Sequence, residues 1–181
     1  PTVFAELAGR GTVAVDVQGM LRRRRQGKVT WNMTREIRHM MRFVDVLKAD
    51  ADEAKFLTGC NSTRDALTEL GNWGPREILI TTGSHGSYIF DSGKIWSIPA
   101  LKPEIVLDPT GCGDTYLSGY IAARSRGFEA QRSAYIGAAA ASYKLEYSGP
   151  LQESFNELCK RIDTDSSVIT SVGASPNSSG N

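Results

Sequence analysis

Leu107-Asp108-Pro109-Thr110-Gly111-Cys112-Gly113-Asp114-Thr115 is the stretch that sets the reading of this chain. Two glycines and a small residue stand between two aspartates. The β-branched apolar run 105–107 before it predicts a strand, and the small-residue run 116–123 after it predicts a helix. A glycine turn that opens a helix leaves backbone N–H groups unpaired at the positive end of the helix dipole. Such a terminus receives anions, phosphate above all. Asp114 lies beside those donors and would repel a phosphate held there. The same carboxylate suits a general base that takes the proton of a hydroxyl attacking that phosphate. Free aspartate is ionised at neutral pH, as that role requires. The N–H groups of Gly111, Cys112 and Gly113 then form an anion hole for the transferring group. The plain alternative is a tight strand-to-helix turn whose glycines serve backbone geometry alone. The chain carries no G-x-x-x-x-G-K-[ST], which excludes a Walker loop, and no G-x-G-x-x-G after a first strand, which argues against a dinucleotide fold.

Outward from this turn, strand-like and helix-like runs alternate. Strands are expected at 12–17, 44–48 and 77–82. A hairpin of 87–91 and 94–98 is expected around Asp91-Ser92-Gly93. Helices are expected at 2–8, 31–43, 52–57 (ended by Thr58-Gly59), 64–73 (capped by Ser62 or Thr63), 115–125, 129–143 and 151–162. The alternation predicts an α/β three-layer sandwich with a mainly parallel sheet. Ligands of such sheets collect at the carboxyl ends of strands, where Asp16, Asp50, Thr82 and Asp108 fall. Residues 1–163 are expected to hold the domain, and the Ser/Gly-rich stretch 164–181 to be a flexible tail.

Composition narrows the classes. The net charge of +1 over 181 residues argues against nucleic acid or a membrane surface as main partner. Arg22–Arg25 is expected to be a solvated loop or helix end. No apolar run approaches the ~18 residues of a membrane span. Three cysteines without a C-x-x-C fit a reducing, cytoplasmic setting better than a disulfide framework or a zinc site.

The segment Asp108-Pro109-Thr110-Gly111-Cys112-Gly113-Asp114 resembles the signature of the ribokinase (PfkB-type) carbohydrate kinases. Three further segments agree in order. Residues 44–59 resemble the family's strand and N-x-x-E helix, 78–89 its nucleotide-binding T-x-G-x-x-G hairpin, and 138–149 its alanine-rich helix and glycine turn. The resemblance covers about residues 10 to 160. It implies a ribokinase-like fold represented by its C-terminal, nucleotide-binding part, lacking the N-terminal strands and small β lid. It implies transfer of the γ-phosphoryl group of ATP to a hydroxyl of a sugar, nucleoside or inositol. Asp114 would be the base. Asp50, Thr81, Gly83, Gly86 and Gly113 would face the nucleotide. Glu53 would help order Mg2+, and Asp108 with Thr110 a monovalent cation such as K+. Two positions depart from the family. Cys112 stands where alanine is usual, and Asp50 where asparagine is usual. An aspartate has no hydrogen to donate to phosphate.

Plainer roles stay open beside these. Glu53 can be a helix N-terminal acid favouring the dipole. Asp108 and Thr110 can be a turn aspartate and a cap. A nucleotide-binding regulatory module without catalysis, and a doubly wound domain sharing topology only, are the non-kinase alternatives. A sheet edge left open by missing strands would favour self-association, hence a homodimer.

Overall fold

The computed structural model describes residues 2–25, 27–165 and 168–172. In chain order the elements are α1 (Thr2–Leu7), β1 (Ala14–Asp16), α2 (Gln18–Leu21), β2 (Arg22–Arg25), β3 (Lys28–Trp31) and α3 (Arg35–Met40) with a 3-10 turn at Met41–Phe43. There follow β4 (Val46–Asp50), α4 (Ala51–Thr58), α5 (Thr63–Gly71), β5 (Glu77–Thr81), β6 (Ser87–Asp91) and β7 (Lys94–Ile98). The chain continues with α6 (Cys112–Arg124), α7 (Ala130–Leu145), α8 (Phe155–Thr164) and β8 (Thr170–Val172).

Six strands form one sheet in the order β1-β4-β5-β6-β7-β8. The β1/β4 and β4/β5 pairs are parallel; β5/β6, β6/β7 and β7/β8 are antiparallel. Alternation along β4 and β5 sorts the core into two. Val46 and Leu79 pack toward α6, α7 and α8, while Leu47, Ala49, Ile78 and Ile80 pack toward α3, α4 and α5. The result is a three-layer α/β fold. Its parallel part carries the strand ends at which the expected site residues meet.

Several elements keep to their sequence-based bounds, the β6–β7 hairpin residue for residue. Others differ for physical reasons. Trp31, expected to open a helix, ends β3. The β-branched run Lys28–Trp31 pairs antiparallel with Arg22–Arg25, so the arginine run is a strand rather than a loop or helix end. Residues 105–107, expected as a strand, pair with no strand. Their side chains are exposed, and the Leu107 N–H goes to the Leu145 carbonyl at 2.8 Å. β-branched composition favours a pleated surface only where a neighbouring strand supplies one. Helix α8 begins four residues late because Ser154 and Glu157 form a capping box. Within the stretch expected as a tail, Thr170–Val172 pairs with β7; residues 166–167 and 173–181 lie outside the described residues. Among the described residues, no helix is long and apolar enough to cross a membrane.

Candidate active site

Gly111 is the N-cap of α6 and holds φ at +79°, the left-handed region where a side chain is strained. It turns the chain so that α6 opens with Cys112, Gly113 and Asp114 as its first three residues. The Cys112 N–H, expected to face an anion, instead donates to the Pro109 carbonyl at 3.3 Å. The open donors are therefore those that a first helical turn leaves unpaired further along, at Gly113 and Asp114. Asp114 is exposed in that first turn, beside them. Burial pushes the Cys112 thiol up, away from the thiolate a nucleophile needs.

Beneath the turn lies a polar cluster that the strand alternation creates. Asp16 and Lys48 are register partners on β1 and β4, so both side chains leave the same face of the sheet, toward α6. The Lys48 ammonium donates to Asp16 Oδ2 at 2.6 Å, and Asp16 Oδ1 accepts the Gln18 N–H at 2.9 Å. A Cβ on Gly113 would stand 2.7 Å from Lys48 Nζ. A side chain at 113 would press on the buried Lys48 ammonium, which would have to shift to make room. Sequence reasoning passed over Lys48; its signal is a lone lysine between the apolar residues Leu47 and Ala49 of a buried strand.

Asp50, the last residue of β4, caps α4. Its Oδ1 accepts the Glu53 N–H at 2.8 Å, and Glu53 Oε2 accepts the Asp50 N–H at 2.9 Å. An N-cap needs only an acceptor, so aspartate serves here as well as asparagine. Glu53 is wholly buried, and its Oε1 has no partner among the described residues. Burial chiefly holds its carboxyl above the usual carboxylate range, against the Asp50 N–H, with the Asp50 and Asp16 charges adding to the rise. Magnesium takes oxygen ligands and keeps several waters. An orphaned carboxylate oxygen is an acceptor for such a water, so Glu53 fits the ion through water. Among the described residues no group of three acidic, His or Cys side chains is placed to grip a metal directly.

Thr81, Gly83 and Gly86 come from the β5 end and the turn before β6. Gly86 holds φ at +95°, and a Cβ there would lie 2.2 Å from the Ile98 carbonyl oxygen. Its glycine is demanded by backbone packed on backbone. These three residues, with Leu101, Pro109, Cys112, Gly113, Ala138 and Ala141, line one apolar cavity of about 440 Å³. Three stretches far apart in sequence thus converge on one hollow at the α6 N-terminus. A larger hollow of about 630 Å³ opens between α5 and the β7–β8 edge, and none of the expected site residues faces it.

Asp108 and Thr110 face each other rather than an open cation site. Asp108 Oδ1 accepts the Thr110 N–H at 2.9 Å, and its Oδ2 lies 3.6 Å from the Lys144 ammonium. The Thr110 contacts, then Lys144, hold the Asp108 carboxyl below its usual range. The residues expected to meet K+ are spent on this chain's own groups, and K+ does not fit them.

The family model for pfkB family carbohydrate kinases matches residues 16–155. The chain belongs to this family. It is 34% identical over 103 residues to a cytidine kinase of Thermococcus kodakarensis, covering 56% of this chain and 37% of that one. It is 40% identical over 72 residues to a nucleoside kinase of Methanocaldococcus jannaschii, covering 40% and 24%. The matched stretches thus span only about a quarter to two fifths of the curated relatives' length. Among solved structures it is similar to a pyrophosphate-dependent kinase in the ribokinase family complexed with a pyrophosphate analog and myo-inositol. That likeness has a TM-score of 0.76 at 24% identity and covers 88% of this chain and 57% of the other. The M. jannaschii nucleoside kinase structure matches with a TM-score of 0.73 at 25% identity, covering 90% and 52%.

Proposed function

We propose that this chain is the nucleotide-binding part of a kinase that moves the γ-phosphoryl group of ATP to a hydroxyl of a sugar, nucleoside or inositol. The observation that carries the reading is an apolar cavity lined jointly by the Thr81–Gly86 turn, the α6 N-terminus and α7. An apolar hollow of this size suits a nucleoside base. The adjoining helix terminus suits its phosphates. Bare pyrophosphate has no apolar part to bury there, so the cavity favours a nucleotide donor. The α6 N–H groups meet the charge on the transferring group, and Asp114 accepts the hydroxyl proton. Magnesium, ordered through Glu53, neutralises charge on the donor phosphates when bound.

The relatives support the acceptor class: a cytidine kinase, a nucleoside kinase and 2-dehydro-3-deoxygluconokinases are named for small hydroxyl-bearing molecules. The competing reading is a module that binds nucleotide without transferring phosphate. What favours it is Asp114 itself, exposed and held by no side chain among the described residues.

Calorimetry with ATP and magnesium tests the donor site. The chain is expected to bind ATP more tightly than pyrophosphate, and Asp114→Asn to bind ATP as well or better, since a repelling charge is gone. No binding by either overturns the donor reading. Turnover with a panel of sugars and nucleosides separates kinase from silent module.

A further inference from the structure

Lys144 lies in the last turn of α7, and its side chain is only 5% exposed. The ammonium donates to the Tyr147 carbonyl at 3.2 Å and the Asp108 carbonyl at 3.3 Å, with Asp108 Oδ2 at 3.6 Å. Beside it, the Leu145 carbonyl accepts the Leu107 N–H at 2.8 Å and the Asp108 N–H at 3.4 Å. A buried cation thus stands among three oxygens that join the α7 carboxyl end to the stretch leading into Gly111. A helix carboxyl end and an aspartate both favour positive charge, and both find it in the same ammonium. Its field also reaches the Cys112 thiol at the start of α6, which it lowers against the larger effect of burial.

We propose that the Lys144 ammonium is a built-in monovalent cation, so that the loop ahead of the anion hole is held in place without K+. A free ion would have to displace a tethered charge that already occupies Asp108. Asp108 is then a clip residue between α7 and the turn, and Lys144 a positioning residue acting through Asp108. For its effect on donor binding the inference rests on the donor-site reading above. The clip itself does not.

The test compares the wild-type chain with Lys144→Ala and Lys144→Met in potassium chloride and in choline chloride at equal ionic strength. Two readouts are taken: the thermal unfolding midpoint, and calorimetric binding of ATP with magnesium. Wild type is expected to give the same midpoint and the same affinity in both salts. Lys144→Ala opens room for an ion. Its midpoint should fall in choline and recover in part in potassium, with ATP affinity about tenfold weaker in choline. Lys144→Met, which fills the room with its stem, should lose stability in both salts alike. A wild-type midpoint or affinity that rises saturably with potassium overturns the proposal, and that arm needs no variant to fold. A Lys144→Ala midpoint indifferent to potassium overturns it too. If wild type binds no ATP in either salt, the donor reading fails, while the midpoints still decide the role of Lys144.

Discussion

The two ends of helix α6 meet polar clusters built to different rules. At its carboxyl end, Glu77 of β5 is fully engaged. One oxygen accepts from Arg124 Nη2 at 2.5 Å; the other accepts from Arg124 Nε at 3.2 Å and from the Tyr120 hydroxyl. Arg124 Nη1 goes on to the Phe128 carbonyl at 2.6 Å. Every arm of the fork is used, as in a cluster that holds a fold together. At the amino end, Asp16 and Lys48 pair, but Glu53 keeps a buried oxygen without a partner and Asp114 stands exposed. Buried polar groups are nearly always paired, so an orphan marks a place where something else is expected to bind. The same helix thus joins a closed cluster that fixes it to the sheet with an open one that has capacity to spare.

The contrast breaks most visibly at Asp114. In the assembled kinase, Asp114→Asn is expected to lower turnover by ~10²–10⁴ while ATP affinity and unfolding midpoint hold. Unchanged turnover in a steady-state assay would remove the base from the open cluster. Next comes the closed end. Glu77→Ala strips partners from a buried tyrosine and a partly exposed arginine and should cost about 2 kcal/mol in urea unfolding. ATP affinity should not move; if it falls, the two ends are coupled through α6.

A smaller effect is expected at Glu53. Its carboxyl is raised in the folded state, so its stabilising share is fully present below the unfolded pKa and is lost as pH rises through the folded one. The groups around it are Asp50, Asp16 and Lys48. Wild type should therefore lose stability relative to Glu53→Gln as pH climbs out of the ordinary carboxylate range, read from denaturant midpoints across that window. A parallel pair of pH profiles would mean that Glu53 is paired after all. Smallest of all, Cys112→Ala should change rate and ATP affinity by less than ~2-fold, because alanine fills similar space and a thiol raised by burial is no nucleophile. Loss of turnover in that variant would assign the sulfur a chemical part.

Much of the site was legible in the chain because it is built from neighbours. The Gly111 turn, the Asp50–Glu53 capping box and the β6–β7 hairpin each close within about ten residues, so local geometry specifies them. Asp114 could be singled out for the same reason, whereas Glu53, Thr81, Gly83 and Gly86 were singled out by the family resemblance. What the chain alone left open are meetings across long stretches. Lys48 lies 32 residues from Asp16, and Lys144 lies 36 from Asp108. Neither lysine stands out until strand register and the end of α7 bring it to its partner.

Two sequence expectations turned on the same point. Residues 105–107 have strand composition but no strand beside them, and Lys28–Trp31 has a partner in the arginine run that helical spacing concealed. The amino-acid order by itself determined the turn, the hairpin, the capped helices and the family likeness, because backbone conformation and short-range hydrogen bonds are set by adjacent residues. Only the tertiary structure decided which charges are buried together, that Gly113 lies against the Lys48 ammonium, and that Asp108 pairs with Lys144. Burial and ion pairing depend on what the rest of the chain packs against each group.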